Sequence, residues 1–137
     1  MYNPALVQPM REELTSLGVT ELTTAEEVDT ALKDSQETVL VVVNSVCGCA
    51  AGACRPAVAI ALENEKVPSK LTTVFAGQDK EATDRARSYF LGLPPSSPSI
   101  ALMKNGQVAK MLHRLDIEGR TAEQIAEDLK QAFNEHC

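Results

Sequence analysis

The residues from Thr38 to Val43 are almost all β-branched or apolar, without the alternation of a half-exposed strand. Continuous apolar runs of this length are typical of strands that are buried on both faces of a parallel or mixed sheet. We therefore expect this segment to lie at the centre of the fold. A second apolar run, Leu71 to Phe75, predicts another strand of the same sheet.

Helical patterns occur before, between and after these strands. Thr24 with Glu27 and Thr121 with Gln124 form capping boxes, in which each side chain satisfies a free backbone N–H of the other residue. Apolar spacing and alanine-rich composition support the same assignment in other segments. Together they predict helices over residues 4–17, 24–35, 57–62 and 80–90, and a closing helix from 121 to about 133.

The dipeptide Asn105-Gly106 stands between two strand-like segments, 99–104 and 107–112, and is a strong signal for a tight hairpin. The predicted order is a βαβ half followed by a ββα half. This order indicates an α/β protein with a central mixed sheet flanked by helices. We expect a single domain over residues 1–137, in which residues 1–20 form an N-terminal helical extension packed outside the sheet.

Charge and composition narrow the classes of partner. The 137 residues include 13 Lys and Arg against 19 Asp and Glu, a net charge of −6, which argues against nucleic acid as a ligand. No segment approaches the roughly 20 apolar residues that span a bilayer, so no membrane partner is expected. Arg11, Glu12 and Glu13 interrupt the place where a secretory signal needs apolar residues. We therefore expect a cytoplasmic protein.

Four cysteines then need an explanation, because structural disulfides are rare in a reducing cytoplasm. Cys47, Cys49 and Cys54 lie within eight residues, directly after the predicted central strand, and Cys137 is the last residue. A helix beginning at this point lowers the pKa of a thiol at its N-terminus and so favours the nucleophilic thiolate. The position predicts Cys47 as an attacking thiol and Cys49 as a second thiol that resolves a mixed disulfide.

The C-x-C spacing has its own consequence. A disulfide between Cys47 and Cys49 closes a small ring around Gly48, which leaves little freedom to reach relaxed disulfide geometry. We expect the ring to be strained, to use the conformational freedom of Gly48, and to be reduced easily. Such a pair suits thiol exchange or isomerisation better than strong reduction.

Other interpretations of the cysteines remain open at this point. Together with His113, His136 or Cys137, the cluster offers enough ligands for a metal-binding or metal-delivery module, although the spacing is not that of a usual zinc or iron–sulfur site. A redox sensor without turnover is a third possibility. Cys54 lies about two helical turns from Cys47, roughly 10 Å along a regular helix, so a packing role is favoured over disulfide pairing. Cys137 remains a possible auxiliary thiol, and His113 is assigned no catalytic role.

Pro98 stands just before the predicted hairpin. With cysteines at the first strand-to-helix junction, this order resembles the thioredoxin-like fold, in which a cis-proline lies beside the active cysteine at this place. If Pro98 is cis, we expect the main chain of Ser97 to pair with the substrate.

Three segments carry a closer resemblance: VVVNSVCGCAAG at 41–52, TVFAGQDKEAT at 73–83 and PSSPS at 95–99. They resemble the bacilliredoxin family, and the similarity extends over nearly the whole chain. The resemblance implies a thioredoxin-like fold with Cys47 as nucleophile, Cys49 as resolving cysteine and Pro98 as cis-proline. Cys54 is not part of the family motif, which leaves it, like Cys137, a possible auxiliary thiol.

The same resemblance implies an activity and its partners. The expected reaction is removal of bacillithiol from mixed disulfides on oxidised proteins, with weak disulfide isomerase activity. Bacillithiol would then be a low-molecular-weight co-substrate, with no bound cofactor and no metal, and the partners would be bacillithiolated client proteins. We expect the protein itself to be a monomer or a weak homodimer.

Overall fold

A five-stranded mixed sheet with helices on both faces forms the framework of the molecule, in a computed structural model that describes residues 1–137. Its strands are β1 (Thr20–Glu21), β2 (Thr38–Asn44), β3 (Lys70–Phe75), β4 (Ser99–Lys104) and β5 (Gln107–Leu112). Its α-helices are α1 (Pro4–Thr15), α2 (Ala25–Leu32), α3 (Arg55–Ala61), α4 (Lys80–Ser88), α5 (Arg114–Ile117) and α6 (Ala122–His136). The strand order is β1-β3-β2-β4-β5.

Strand β2 occupies the centre of this sheet. It pairs in parallel with β3 on one side and antiparallel with β4 on the other, and every residue after Thr38 in it is buried. Leu40 and Val42 enter one core, whereas Val39, Val41 and Val43 enter the core on the opposite face. Burial on both faces explains the continuous apolar run, and the prediction of a central strand is confirmed.

The helices pack on opposite faces of the sheet and form one hydrophobic core on each face. One core is built from α1, α3 and α6, with Leu14, Val58 and Phe133 among its buried residues. The other is built from α2 and α4, with Val28 and Ala86 among its buried residues. The layered arrangement confirms the predicted α/β fold with a mixed sheet flanked by helices.

The hairpin between β4 and β5 also confirms its prediction. Asn105 and Gly106 both have positive φ angles, 52° and 77°, as a tight two-residue turn between strands requires. The antiparallel register shifts between Leu102 and Met103, so that Ile100 pairs with Leu112. This irregularity shifts the pairing of the two strands by one residue at the end of the sheet where β4 begins and β5 ends.

The predicted helix ends differ from the observed ones by a few residues. Helix α1 ends at Thr15 rather than Leu17, and α2 ends at Leu32 because Lys33 is extended and Asp34 has a φ of 56°. Helix α4 ends at Ser88 rather than at residue 90. Strand β1 and helix α5 were not predicted, because elements of two and four residues are too short to show a period.

The helix after β2 begins earlier than predicted and contains an irregular turn. Helical hydrogen bonding begins at Gly48, and a π-helical turn, Ala50–Cys54, leads into α3. In this turn the N–H of Arg55 donates to the carbonyl of Ala50. Pro56 has no N–H to donate to the carbonyl of Gly52, which favours one wider turn at this point.

The N-terminal helix is tied to the sheet by charge as well as by apolar packing. The guanidinium of Arg11 donates to Glu21 at 2.7 Å and to Asp79 at 2.8 Å, and it lies over the ring of Phe75. Its ion pairs join α1 to β1 and to the residue that precedes α4. Among the helices of the structure, none combines the length and the apolar character that crossing a membrane requires.

Candidate active site

Cys47 lies between the end of β2 and the first helical residues. Its carbonyl accepts hydrogen bonds from the N–H groups of Ala50, at 3.0 Å, and Ala51, at 3.3 Å. Its thiol is half-buried and not disulfide-bonded. The strand-to-helix junction therefore presents Cys47 at a helix N-terminus, where unpaired N–H groups favour an anion.

The surroundings of Cys47 lower the pKa of its thiol. Burial raises this pKa, but hydrogen bonds from the Ser45 hydroxyl, the Ala50 N–H and Cys49 together outweigh burial. Ser45 is itself buried, and its hydroxyl oxygen accepts a hydrogen bond from the Cys47 N–H at 3.2 Å. The balance favours the thiolate at Cys47, the form that attacks a disulfide.

Cys49 has the opposite tendency. Burial, a hydrogen bond with Cys47 and the negative charge of Cys47 raise the pKa of Cys49, while the nearby Arg114 lowers it. One thiol of the pair is thus prepared to ionise first, and the other keeps its proton. This division matches the order in which a nucleophile and a resolving thiol act.

Arg114 connects Cys49 to the proline loop. Its Nη2 lies 3.8 Å from the Cys49 sulfur, and its Nη1 donates to the Ser97 carbonyl at 3.1 Å. Its Nε donates to Glu118 at 2.8 Å. No motif in the sequence marks this residue, because its place beside Cys49 depends on the register of the hairpin. Arg114 lies two residues after Leu112, which pairs with Ile100, so it follows β5 at the end of the sheet where Ser97 and Pro98 precede β4.

The Ser97–Pro98 peptide bond is cis, the form expected at this position, and Pro98 is buried. The preceding loop is held from two sides. The carbonyl of Ser96 accepts from Ser99 Oγ at 3.0 Å and from Arg87 Nη2 at 3.3 Å. These contacts fix the loop that carries Ser97.

A buried arginine forms hydrogen bonds to the residues just before Cys47. Arg55 is the largest of the fully buried side chains, and its Nη1 donates to Asn44 Oδ1 and to the Ser45 carbonyl, both at 2.9 Å. Asn44 Oδ1 also accepts from the Ser45 N–H at 2.9 Å, and Asn44 Nδ2 donates to the Met10 carbonyl in α1 at 3.2 Å. The end of β2 is thereby fixed in one conformation.

Arg55 also has a partly exposed carboxylate beside it. Its Nε lies 3.1 Å from Glu13 Oε2, but the N–H does not point at that oxygen, so the contact is an ion pair without a hydrogen bond. Burial of a guanidinium is costly unless its charge and donors are matched. Glu13 supplies the charge, and Asn44 and Ser45 supply the acceptors.

Gly48 is part of the helix when the two thiols are free. It has helical hydrogen bonding and no positive φ, and a Cβ built on it meets no atom within 4 Å. In the reduced state, therefore, this position makes no demand for glycine. The expectation of unusual dihedrals concerns the closed Cys47–Cys49 ring, and in the open form the helix already accommodates residue 48.

The remaining thiols are separated from this pair by their surroundings. Cys54 is fully buried in the core shared with α3 and α6, and burial raises its pKa to about 12. Cys137 is exposed after the last turn of α6. No group of three or more His, Cys, Asp or Glu side chains lies in an arrangement that holds a metal ion.

The role of Ser45 leads to a testable pH dependence. Alkylation requires the thiolate, so its rate rises with pH through the pKa of Cys47 and then levels off. Because the Ser45 hydroxyl lowers that pKa, Ser45→Ala is expected to move the midpoint to higher pH. The measurement is the iodoacetamide labelling rate at Cys47 against pH, followed by peptide mass spectrometry.

The matched control is Ser88→Ala, which removes a hydroxyl that bonds only to a backbone carbonyl in α4. We expect its labelling profile to coincide with that of the wild type. An unchanged or lower midpoint in Ser45→Ala contradicts the assigned role of the hydroxyl.

Comparison with known proteins agrees with this arrangement. A family model described as "Disulphide isomerase" matches residues 2–137. A bacilliredoxin from Koribacter versatilis is 54% identical over 137 residues, covering 100% of this chain and 94% of its own. A bacilliredoxin from Shouchella clausii is 53% identical over 136 residues, covering 99% of this chain and 94% of its own.

Solved structures resemble the chain at the level of the fold. A putative oxidoreductase with a thioredoxin fold superposes with a TM-score of 0.63 at 16% identity, covering 83% of this chain and 92% of its own. Thioredoxin from Fasciola hepatica has a TM-score of 0.57 at 18% identity, covering 87% of this chain and all of its own. The chain therefore belongs to the bacilliredoxin family and is a thiol-disulfide oxidoreductase with a thioredoxin fold.

Proposed function

We propose that the protein reduces mixed disulfides between bacillithiol and cytoplasmic client proteins. The observation that carries the proposal is the asymmetry of the C-G-C pair: the pKa of Cys47 is lowered and that of Cys49 is raised. The names of its full-length relatives support bacillithiol as the thiol that is removed. In this proposal bacillithiol is a co-substrate, and the protein needs no bound cofactor.

The first step is attack by the Cys47 thiolate on the bacillithiol sulfur of the mixed disulfide. A new S–S bond forms between Cys47 and bacillithiol, and the client thiol leaves as a thiolate with the electron pair of the broken bond. The half-exposed position of Cys47 gives access to this sulfur. The client is thereby restored, and bacillithiol is carried by the protein.

The second step releases bacillithiol. Either the Cys49 thiolate attacks Cys47 to form the intramolecular disulfide, or a second bacillithiol attacks the bound one. Cys49 is two residues away and already interacts with Cys47. The first route leaves the pair oxidised, and an external thiol reductant then completes the cycle.

The proposed contact for clients is the main chain of Ser97. Its carbonyl accepts from Arg114 at 3.1 Å, whereas its N–H takes part in none of the backbone hydrogen bonds of the fold. An extended client segment lying along the proline loop can accept a hydrogen bond from this N–H. In this proposal the client disulfide lies near Cys47 and Cys49, because Arg114 contacts both the Ser97 carbonyl and the Cys49 sulfur.

Weak disulfide isomerase activity belongs to the same proposal. Its support is the description of the matching family model, together with a nucleophile whose pKa is lowered. An isomerase attacks a non-native disulfide and leaves again when the client rearranges, which uses only Cys47. We propose a monomer or weak homodimer as the working form.

The test compares two versions of one purified client peptide, carrying bacillithiol or glutathione in a mixed disulfide at the same cysteine. The reduced protein is expected to release bacillithiol faster than glutathione, as measured by mass spectrometry of peptide and protein. Equal release would show a general thiol exchanger without preference for bacillithiol. Absence of any transfer to Cys47 would overturn the proposed function.

A further inference from the structure

We infer that Arg114 stabilises the thiolate of Cys49 during the resolving step and thereby controls release of the thiol carried on Cys47. The inference rests on the proposed function, because it assigns a residue to its second step. Its basis is the position of the guanidinium, with Nη2 at 3.8 Å from the Cys49 sulfur.

The guanidinium is held in this position by contacts on all its nitrogens. Nη1 donates to the Ser97 carbonyl at 3.1 Å and Nε to Glu118 at 2.8 Å, while Nη2 is directed at Cys49. The backbone N–H of Arg114 donates to Ser96 Oγ at 3.1 Å. Because Nε and Nη1 are already hydrogen-bonded, the planar guanidinium loses little further conformational freedom when Nη2 binds an anion.

The short helix α5 carries Arg114 at its first position. The N–H of His113 donates to Asp116 at 2.9 Å, which fixes the beginning of this helix. The charged and titratable groups near the Cys49 sulfur are Arg114 at the start of α5, Glu118 directly after α5, and Cys47 just before the helix that follows β2. Arg114 is the positive member of this group.

The charge balance at Cys49 changes during the reaction. In the reduced protein, burial and the Cys47 thiolate raise the pKa of Cys49, and Arg114 opposes them. When Cys47 enters a mixed disulfide its negative charge disappears, while Arg114 and the smaller opposing charge effect of Glu118 stay in place. The remaining positive neighbour then favours ionisation of Cys49 at the stage when its thiolate is needed.

The step balances without an added oxidant. The Cys49 thiol gives its proton to solvent, and the resulting thiolate forms an S–S bond with the Cys47 sulfur. The bond between Cys47 and the carried thiol breaks, and its electron pair leaves with that thiol as a thiolate. The cysteine pair is oxidised and the carried thiol is reduced.

Stopped-flow reaction with dipyridyl disulfide separates the two steps. Attack by Cys47 releases one thiopyridone in a phase that depends on reagent concentration, and attack by Cys49 releases the second in a phase that does not. The full chain is used with Cys137→Ser, which removes an exposed thiol that would also react. Absorbance of thiopyridone reports both phases.

Arg114→Gln is expected to slow the second phase about tenfold at neutral pH, since a charge-assisted contact to a thiolate is lost. In this variant the pH at which the second phase reaches half of its maximal rate should move upward. Arg114→Lys, which keeps the charge, should recover most of the rate. The first phase should change less than the second, because Nη2 contacts the Cys49 sulfur, whereas Arg114 interacts with Cys47 through charge alone.

Arg85→Gln is the matched control, since it removes the same charge from α4, where Arg85 pairs with Asp29. Both of its phases should equal those of the parent. An unchanged second phase in Arg114→Gln, or an equal loss in Arg114→Lys, overturns the inference. A parent protein that releases only one thiopyridone instead contradicts the proposed resolving role of Cys49.

Discussion

Cys47→Ser is expected to reduce the release of bacillithiol from a client peptide by at least about a thousandfold, because a hydroxyl does not ionise near neutral pH. The Cys47 thiol is the one whose pKa is lowered by Ser45, the Ala50 N–H and Cys49, against the effect of burial. Neither Cys54, which is fully buried, nor Cys49, whose pKa is raised, can replace it. The measurement is the rate of free bacillithiol production at neutral pH.

Cys49→Ser, the variant of the second cysteine, separates the first step of the reaction from the second. It retains the nucleophile, so the client thiol should still be freed in a single turnover. The protein should then accumulate with one bacillithiol on Cys47, visible as a mass increase that free bacillithiol slowly removes. Substantial activity in Cys47→Ser, or loss of the first step in Cys49→Ser equal to that in Cys47→Ser, would reverse the assignment of the two cysteines.

Arg55→Leu is expected to lower the free energy of unfolding by about 3 kcal/mol, because the buried Ser45 carbonyl loses its donor and Asn44 Oδ1 loses one of its two donors. Asn44 Oδ1 and the Ser45 carbonyl each accept from the same Nη1, in a region that water does not reach. Loss of these bonds also loosens Ser45, so the thiolate at Cys47 should become less favoured. Urea unfolding measures the first effect, and the pH profile of Cys47 alkylation measures the second.

Glu13→Gln separates the ion pair from the hydrogen bonds. The Glu13 side chain is 47% exposed and makes no hydrogen bond to Arg55 Nε, so its loss should cost less than about 1 kcal/mol. A larger loss in Glu13→Gln than in Arg55→Leu would mean that charge pairing, rather than support of the loop, is what retains Arg55.

The sequence predicted the parts of the fold that have a strong period or a strong turn signal. The apolar run 38–43, the capping boxes at Thr24 and Thr121 and the Asn105-Gly106 turn all lie where expected. Local hydrogen bonds and burial determine these elements, so a short window of residues contains the information. The position of Cys47 follows from them, because it needs only the end of β2 and the beginning of the next helix.

The supporting residues of the site depend on long-range contacts. Arg114 is 65 residues from Cys49, and their contact requires both the hairpin register and the bulge between Leu102 and Met103. Arg55 lies before the predicted helix 57–62; in the structure it directly follows the π-helical turn, and its buried guanidinium contacts Glu13 of α1. No periodicity in the sequence marks an arginine as buried, and average behaviour favours exposure.

The buried position of Cys54 gives the chain an internal reporter of opening. Its thiol has no solvent contact in the folded state, and burial raises its pKa to about 12, so a reagent reaches it only when the core of α3 and α6 separates. Under conditions where closing is faster than labelling, the labelling rate equals the chemical rate multiplied by the population of open molecules. Slow alkylation of this one cysteine therefore reports local stability under native conditions, without denaturant and without an engineered cysteine.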